Sequence, residues 1–145
     1  MEESKTKALE RESVTETITI VDQPPAPFED LDEEARVAIY CASEKKAENI
    51  VALDLRDITS FAEFFIIASG SNQRQVQAIA DEISLKLKKE HKTKAIRIEG
   101  YETGEWVLLD YGDFIFHVFN SKSREFYDLE RLWRDVRRVT LPEDL

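Results

Sequence analysis

The sequence predicts an α+β domain, α/β in outline, with a mixed sheet of about five strands packed with helices. Three observations carry that expectation. Residues 106–111 and 114–119 are apolar, β-rich runs separated only by Gly112-Asp113, which reads as a hairpin with a II′-type turn. Val76, Ile79, Ala80, Ile83 and Leu87 recur at helical spacing. The run Phe64-Phe65-Ile66-Ile67 is apolar on both strand faces, as a central strand is. The element order α-β-β-α-β-β-β-α follows, and no internal repeat interrupts it.

Residues 1–29 are rich in Glu, Thr and Ser and end in Pro24-Pro25-Ala26-Pro27. Their apolar surface is too small to offset the entropy of ordering, which predicts a disordered tail. Within it, the apolar stretch from Ile18 to Val21 could add as an edge strand or dock on a partner. The domain proper is expected over 30–140, with 141–145 as a short C-terminal tail.

A first helix is predicted over 30–49, with Asp30 and Glu33 as a capping box and Asp32, Glu33 and Glu34 at its positive end. Leu31, Ala35, Ala38 and Ala42 form its apolar stripe. A short strand over 50–55, a turn over 57–60 and a central strand over 61–68 come next. Ser69-Gly70-Ser71-Asn72 closes that strand and opens the amphipathic helix, with Asn72 and Gln75 as a second capping box. That helix ends in Lys86, Lys88, Lys89, Lys92 and Lys94, which suit a helix C-terminus better than they argue for RNA.

A third strand is predicted over 94–99, and the hairpin follows. With Gly112-Asp113 as the loop, Tyr111 pairs with Phe114, Leu109 with Phe116, and Val107 with Val118. That face is wholly apolar and belongs to the core. The other face sets Trp106, Leu108 and Asp110 opposite Phe119, His117 and Ile115, placing a carboxylate and an imidazole in apolar surroundings. Such a face is either buried with its polar groups paired or is a place where something binds. A last helix is predicted over 123–139, with Phe126, Leu129, Trp133 and Val136 on its stripe and Trp133 as a core anchor.

The chain has 145 residues, 42% of them hydrophobic and 34% charged, an ordinary balance for one globular domain. Its net charge of −10 is concentrated at one end: residues 1–34 carry −8 and the remaining 111 only −2. Between Glu99 and Asp113 stand five acids (Glu99, Glu102, Glu105, Asp110, Asp113) and no lysine or arginine. An apolar patch in that setting complements a basic protein surface and repels bare nucleic acid, so no direct sequence-specific nucleic-acid binding is expected. The lone Cys41 excludes an internal disulfide and reads as a small core residue. No apolar run approaches the roughly 20 residues that span a bilayer, and the acidic N-terminus fits neither a secretory signal nor a transit peptide. A cytoplasmic protein is expected.

Several separate stretches, in order, resemble the ribosomal silencing factor (Iojap-like) family. They are Ile66-Ile67-Ala68-Ser69-Gly70-Ser71 with Arg74-Gln75-Val76; Glu99-Gly100; Trp106; Asp110-Tyr111-Gly112-Asp113; His117-Val118-Phe119; and Arg124-Glu125-Phe126-Tyr127-Asp128-Leu129-Glu130-Arg131-Leu132-Trp133. The resemblance covers roughly 31–135. It implies a degenerate nucleotidyltransferase-like fold and binding to large-subunit ribosomal protein fourteen, a basic protein on the joining face of the large ribosomal subunit. Small-subunit docking would then be blocked and translation lowered when nutrients are scarce. Organellar relatives act instead in large-subunit assembly, which is the alternative.

Catalysis fits the residues poorly. Ser69-Gly70-Ser71 at a helix start could hold a phosphate on backbone N–H groups. Nucleotidyl transfer also needs paired carboxylates for magnesium, and Lys94-Ala95-Ile96-Arg97-Ile98-Glu99 supplies none. Asp110 and Asp113 make too small a ligand set for a cation. His117 lies diagonal to Asp110, within reach, but no serine or cysteine nearby is placed as a nucleophile. No enzyme activity, cofactor or metal is therefore expected. The protein-binding candidates are Trp106, Leu108 and Tyr111 as apolar anchors, Glu105, Asp110 and Asp113 as an acidic rim, and His117 as support. Trp106 either caps the core or projects from the sheet rim. A homodimer pairing through the same face is a further alternative.

Overall fold

The computed structural model describes residues 23–145, so the expectation for Ile18 to Val21 lies outside the described residues. Packing begins before residue 30. Ala26 is fully buried and bridges Val139 in parallel, donating its N–H to the Arg138 carbonyl at 2.8 Å and accepting from the Thr140 N–H at 2.8 Å.

A 3-10 turn over Phe28–Asp30 precedes helix α1, Glu33–Glu44. The helix is capped at Asp32, not Asp30, and without a side-chain cap bond. Asp30 instead accepts a 2.8 Å bond from the Arg56 guanidinium, a tertiary partner that replaces the expected capping box. Ala35, Ala38, Ile39, Cys41 and Ala42 are its buried face. The chain leaves the helix through Lys45 and enters β1, Glu48–Asp54.

Strand β2, Phe64–Gly70, is buried at every position. Helix α2, Gln73–His91, follows directly, with Asn72 Oδ1 accepting the Gln75 N–H at 2.8 Å. Its buried residues are the five expected from their spacing, Val76, Ile79, Ala80, Ile83 and Leu87. The short edge strand β3, Arg97–Glu99, leads into β4, Trp106–Asp110, and β5, Phe114–Asn120. The hairpin has the predicted register: Leu109 faces Phe116, Val107 faces Val118, and the Tyr111 N–H donates to the Phe114 carbonyl at 3.0 Å. Gly112 turns the chain at φ +88°, a region open to glycine.

The expected helix over 123–139 does not form as one piece. A two-turn helix α3, Ser121–Tyr127, stops at Asp128, which is left-handed at φ 48° and ψ 50°. One further turn, α4 over Leu129–Leu132, follows, and the chain then extends into β6, Arg137–Arg138. Phe126, placed on the predicted stripe, is 81% exposed, whereas Trp133 and Val136 are buried. Aspartate tolerates the left-handed region better than most residues, and β6 gains pairing with β1; together these override the helical periodicity.

The sheet therefore has six strands in the order β3-β4-β5-β2-β1-β6. The central pair, β2 and β5, is parallel and the other pairs are antiparallel. Helices α1 and α2 cover one face with a core that includes Ala38, Ile79, Ile83, Val107, Leu109 and Phe116. The other face packs Leu53, Phe65, Ile67, Ile115 and Phe119 against Trp133, Val136 and the loop at Ala62. That second layer leaves part of the hairpin's outer face uncovered. Among the described residues no helix is long and apolar enough to cross a membrane.

Candidate functional site

Where the second layer stops, a cleft of about 500 Å³ opens on the outer face of the hairpin. It is lined by Phe61, Phe65, Trp106, Leu108, Ile115, Leu129 and the buried His117, with the exposed Arg97 and Glu99 and the partly buried Asp110 at its mouth. A pocket of this size, apolar with a few convergent polar groups, has the general form of a binding site.

Strand alternation builds it. Trp106, Leu108 and Asp110 point to one side of β4, and their β5 partners Phe119, His117 and Ile115 point the same way. The Trp106 ring stacks on Phe119 with centroids 4.8 Å apart and rests against Tyr127 at 5.0 Å. Its indole N–H donates to His117 Nδ1 at 3.1 Å. His117 is 3% exposed, and burial pushes its pKa down to about 3, so the ring is neutral. Its Nε2 has no hydrogen-bond partner among the described residues.

The mouth is charged. Arg97 reaches Glu99 at 3.1 Å and Asp110 at 3.3 Å, and Asp110 also accepts the Gly112 N–H at 2.9 Å, bracing the turn. Asp110 thus pairs with Arg97, and the diagonal contact with His117 is replaced by the Trp106 bond. Glu105 and Asp113 are exposed at the two ends of the ribbon. Tyr111 lies on the opposite side, stacked on Phe114 at 5.0 Å and packed against the helix-side core. The fold therefore gathers Trp106, Leu108, Asp110 and His117, and sets Tyr111 apart from them.

The turn after β2 is occupied by the chain's own groups. Ser69 Oγ accepts from the Arg124 guanidinium at 2.8 Å, the Gly70 carbonyl accepts from Ser121 Oγ at 3.1 Å, and Gln75 Oε1 takes both the Ser71 N–H and its hydroxyl. A Cβ on Gly70 would come within 3.0 Å of Val76, so the glycine lets strand and helix approach closely. Among the described residues, the ligand-like trio is Cys41, Glu44 and Glu82, remote from Asp110 and Asp113 in the sequence. Lys86 already stands 3.6 Å from Glu44 and 3.8 Å from Glu82, and burial pushes the Cys41 thiol up to about 11.

Residues 28–145 match the family model described as ribosomal silencing factor during starvation. The chain belongs to the ribosomal silencing factor family. A ribosomal silencing factor of Halalkalibacterium halodurans is 43% identical over 106 residues, covering 73% of this chain and 90% of that protein. That of Bacillus subtilis is 40% identical over 101 residues, covering 70% of this chain and 85% of its own. A crystal structure of a Chromobacterium violaceum protein superposes with a TM-score of 0.68 at 37% identity, covering 77% of this chain and 88% of that one.

Within this member of the family, sequence reasoning missed Phe61, Phe65, Arg97, Leu129 and Tyr127 as neighbours of Trp106. Phe65 arrives because β2 runs parallel beside β5 and pairs it with Ile115. Leu129 and Tyr127 arrive because the C-terminal segment breaks at Asp128. Neither event leaves a local sequence signal. The exception is Arg97, whose register opposite Asp110 follows once β3 is paired with β4.

Proposed function

We propose that this silencing factor binds large-subunit ribosomal protein fourteen through the hairpin cleft, and that its bulk there blocks docking of the small subunit and lowers translation under starvation. Trp106 and Leu108 act as anchors, and Glu105, Asp110 and Asp113 orient a basic partner. Tyr111 stiffens the ribbon from its other side. The observation that carries this reading is a partly buried tryptophan, held by His117 and Phe119, beside an apolar cleft with carboxylates at its mouth. Binding energy concentrates on such preorganised aromatic anchors, and surrounding charge supplies orientation and speed.

The test is co-sedimentation with isolated large subunits, with and without small subunits. The wild-type protein should travel with the large subunit and reduce formation of the joined ribosome. Trp106→Ala should weaken large-subunit binding by more than about 1 kcal/mol, roughly five-fold in Kd. Trp106→Phe, which keeps the stack on Phe119, controls for packing loss. Retention of Trp106→Ala at the wild-type level would sink the proposal.

A further inference from the structure

Indole is only a donor, so the 3.1 Å contact with Trp106 makes His117 Nδ1 the acceptor. A neutral imidazole bonded in that way carries its proton on Nε2. That N–H lies on the cleft side of the sheet, in a residue that lines the cleft, and it has no acceptor among the described residues. The nearest aromatic, Phe65, has its ring centroid 4.8 Å from that of His117 at 70° and offers only a weak π acceptor. Buried donors are ordinarily satisfied, and one left over beside a cleft marks where an acceptor belongs.

We infer that His117 is a specificity-determining residue of the cleft, donating from Nε2 to the main-chain carbonyl of a protein segment whose apolar side chain fills the space between Phe61, Phe65, Leu108 and Leu129. This rests on the docking role proposed above and names what the cleft reads. The acceptor is a neutral carbonyl because the mouth holds two carboxylates, Glu99 and Asp110, against the single Arg97. A carboxylate guest would meet net negative charge, whereas a peptide carbonyl flanked by basic residues would not. Burial of the ring, which holds it neutral, keeps the same donor in place across the physiological pH range. Nε2 itself is covered in the free protein, and binding should be felt at that atom.

Two substitutions separate the roles of the two ring nitrogens. His117→Asn keeps an acceptor near the Nδ1 position for Trp106 but loses the distal donor. His117→Gln places an amide donor near Nε2 and loses the proximal acceptor. With purified ribosomal protein fourteen as probe, Gln should bind within about three-fold of wild type, and Asn and Phe at least about ten-fold more weakly. Asn binding as well as wild type would reduce His117 to a support for Trp106 and overturn the inference. So would undiminished binding by His117→Phe.

The wild-type protein gives a readout that needs no variant. In 15N-labelled protein the His117 Nε2–H resonance should be visible. It should move on titration with N-acetyl-leucinamide, a neutral mimic of the segment, and less with N-acetyl-leucine, its carboxylate. No movement with the amide overturns the inference, as does a larger response to the carboxylate. If the amide shifts the resonance while ribosomal protein fourteen does not bind, the carbonyl site stands and the docking partner proposed above fails.

Discussion

His117 and Asp54 are polar residues that the fold has taken out of water, and each makes stability depend on its partners. An unfolded histidine takes up its proton near pH 6.5, but in the fold burial lowers that to about 3. Its contribution is therefore complete above pH 6.5 and is lost as pH falls toward 3, at up to about 1.4 kcal/mol per pH unit. Urea midpoints between pH 7 and 5.5 should fall in the wild type, and His117→Gln should flatten that slope. Asp54 is 5% exposed and takes two hydrogen bonds from the Arg56 side chain at 3.0 and 2.9 Å, with Arg137 at 3.6 Å. Burial pulls its carboxyl upward, but the bonds and charge of Arg56 outweigh this and hold it below the usual range. Asp54→Ala leaves two guanidiniums without their shared carboxylate. Both are partly solvated, so the loss should be about 1–3 kcal/mol rather than the full value for a buried pair, measured by chemical unfolding.

At the level of elements, helix α2 and the hairpin were legible because their signals are local. Five apolar residues on one stripe and a glycine turn between two β-rich runs specify a shape without knowledge of the rest of the chain. The C-terminal segment shows the limit of that reasoning. Phe126, Leu129, Trp133 and Val136 satisfy helical spacing, yet Asp128 breaks the helix and leaves Phe126 facing solvent. Two changes check this directly. Phe126→Ser should alter stability by less than about 0.5 kcal/mol, as an exposed residue does, whereas a buried stripe position would lose several. Asp128→Gly should be neutral or stabilising by up to about 1 kcal/mol, because glycine occupies the left-handed region freely. Thermal melts of both variants give the comparison. The capping box at Asp30 failed for a related reason: Arg56, 26 residues on, claimed its carboxylate.

On the scale of the whole molecule, charge and shape divide the labour. Residues 1–34 carry −8 of the chain's net charge of −10, part of it in helix α1, and five further acids stand between Glu99 and Asp113. If these orient docking, association with the large subunit should slow markedly between about 50 and 200 mM salt while dissociation changes little, which stopped-flow or surface-based kinetics would show. The sequence by itself determined the strand and helix inventory up to residue 120, the hairpin register, and the family, because turn chemistry, periodicity and ordered motifs are properties of neighbours along the chain. Only the tertiary structure decided that β2 lies parallel beside β5, that β6 completes the sheet, and that Phe65, Leu129 and Arg97 meet around Trp106. Those outcomes depend on which arrangement covers both faces of the sheet at once, a competition among segments distant in sequence that no local pattern records.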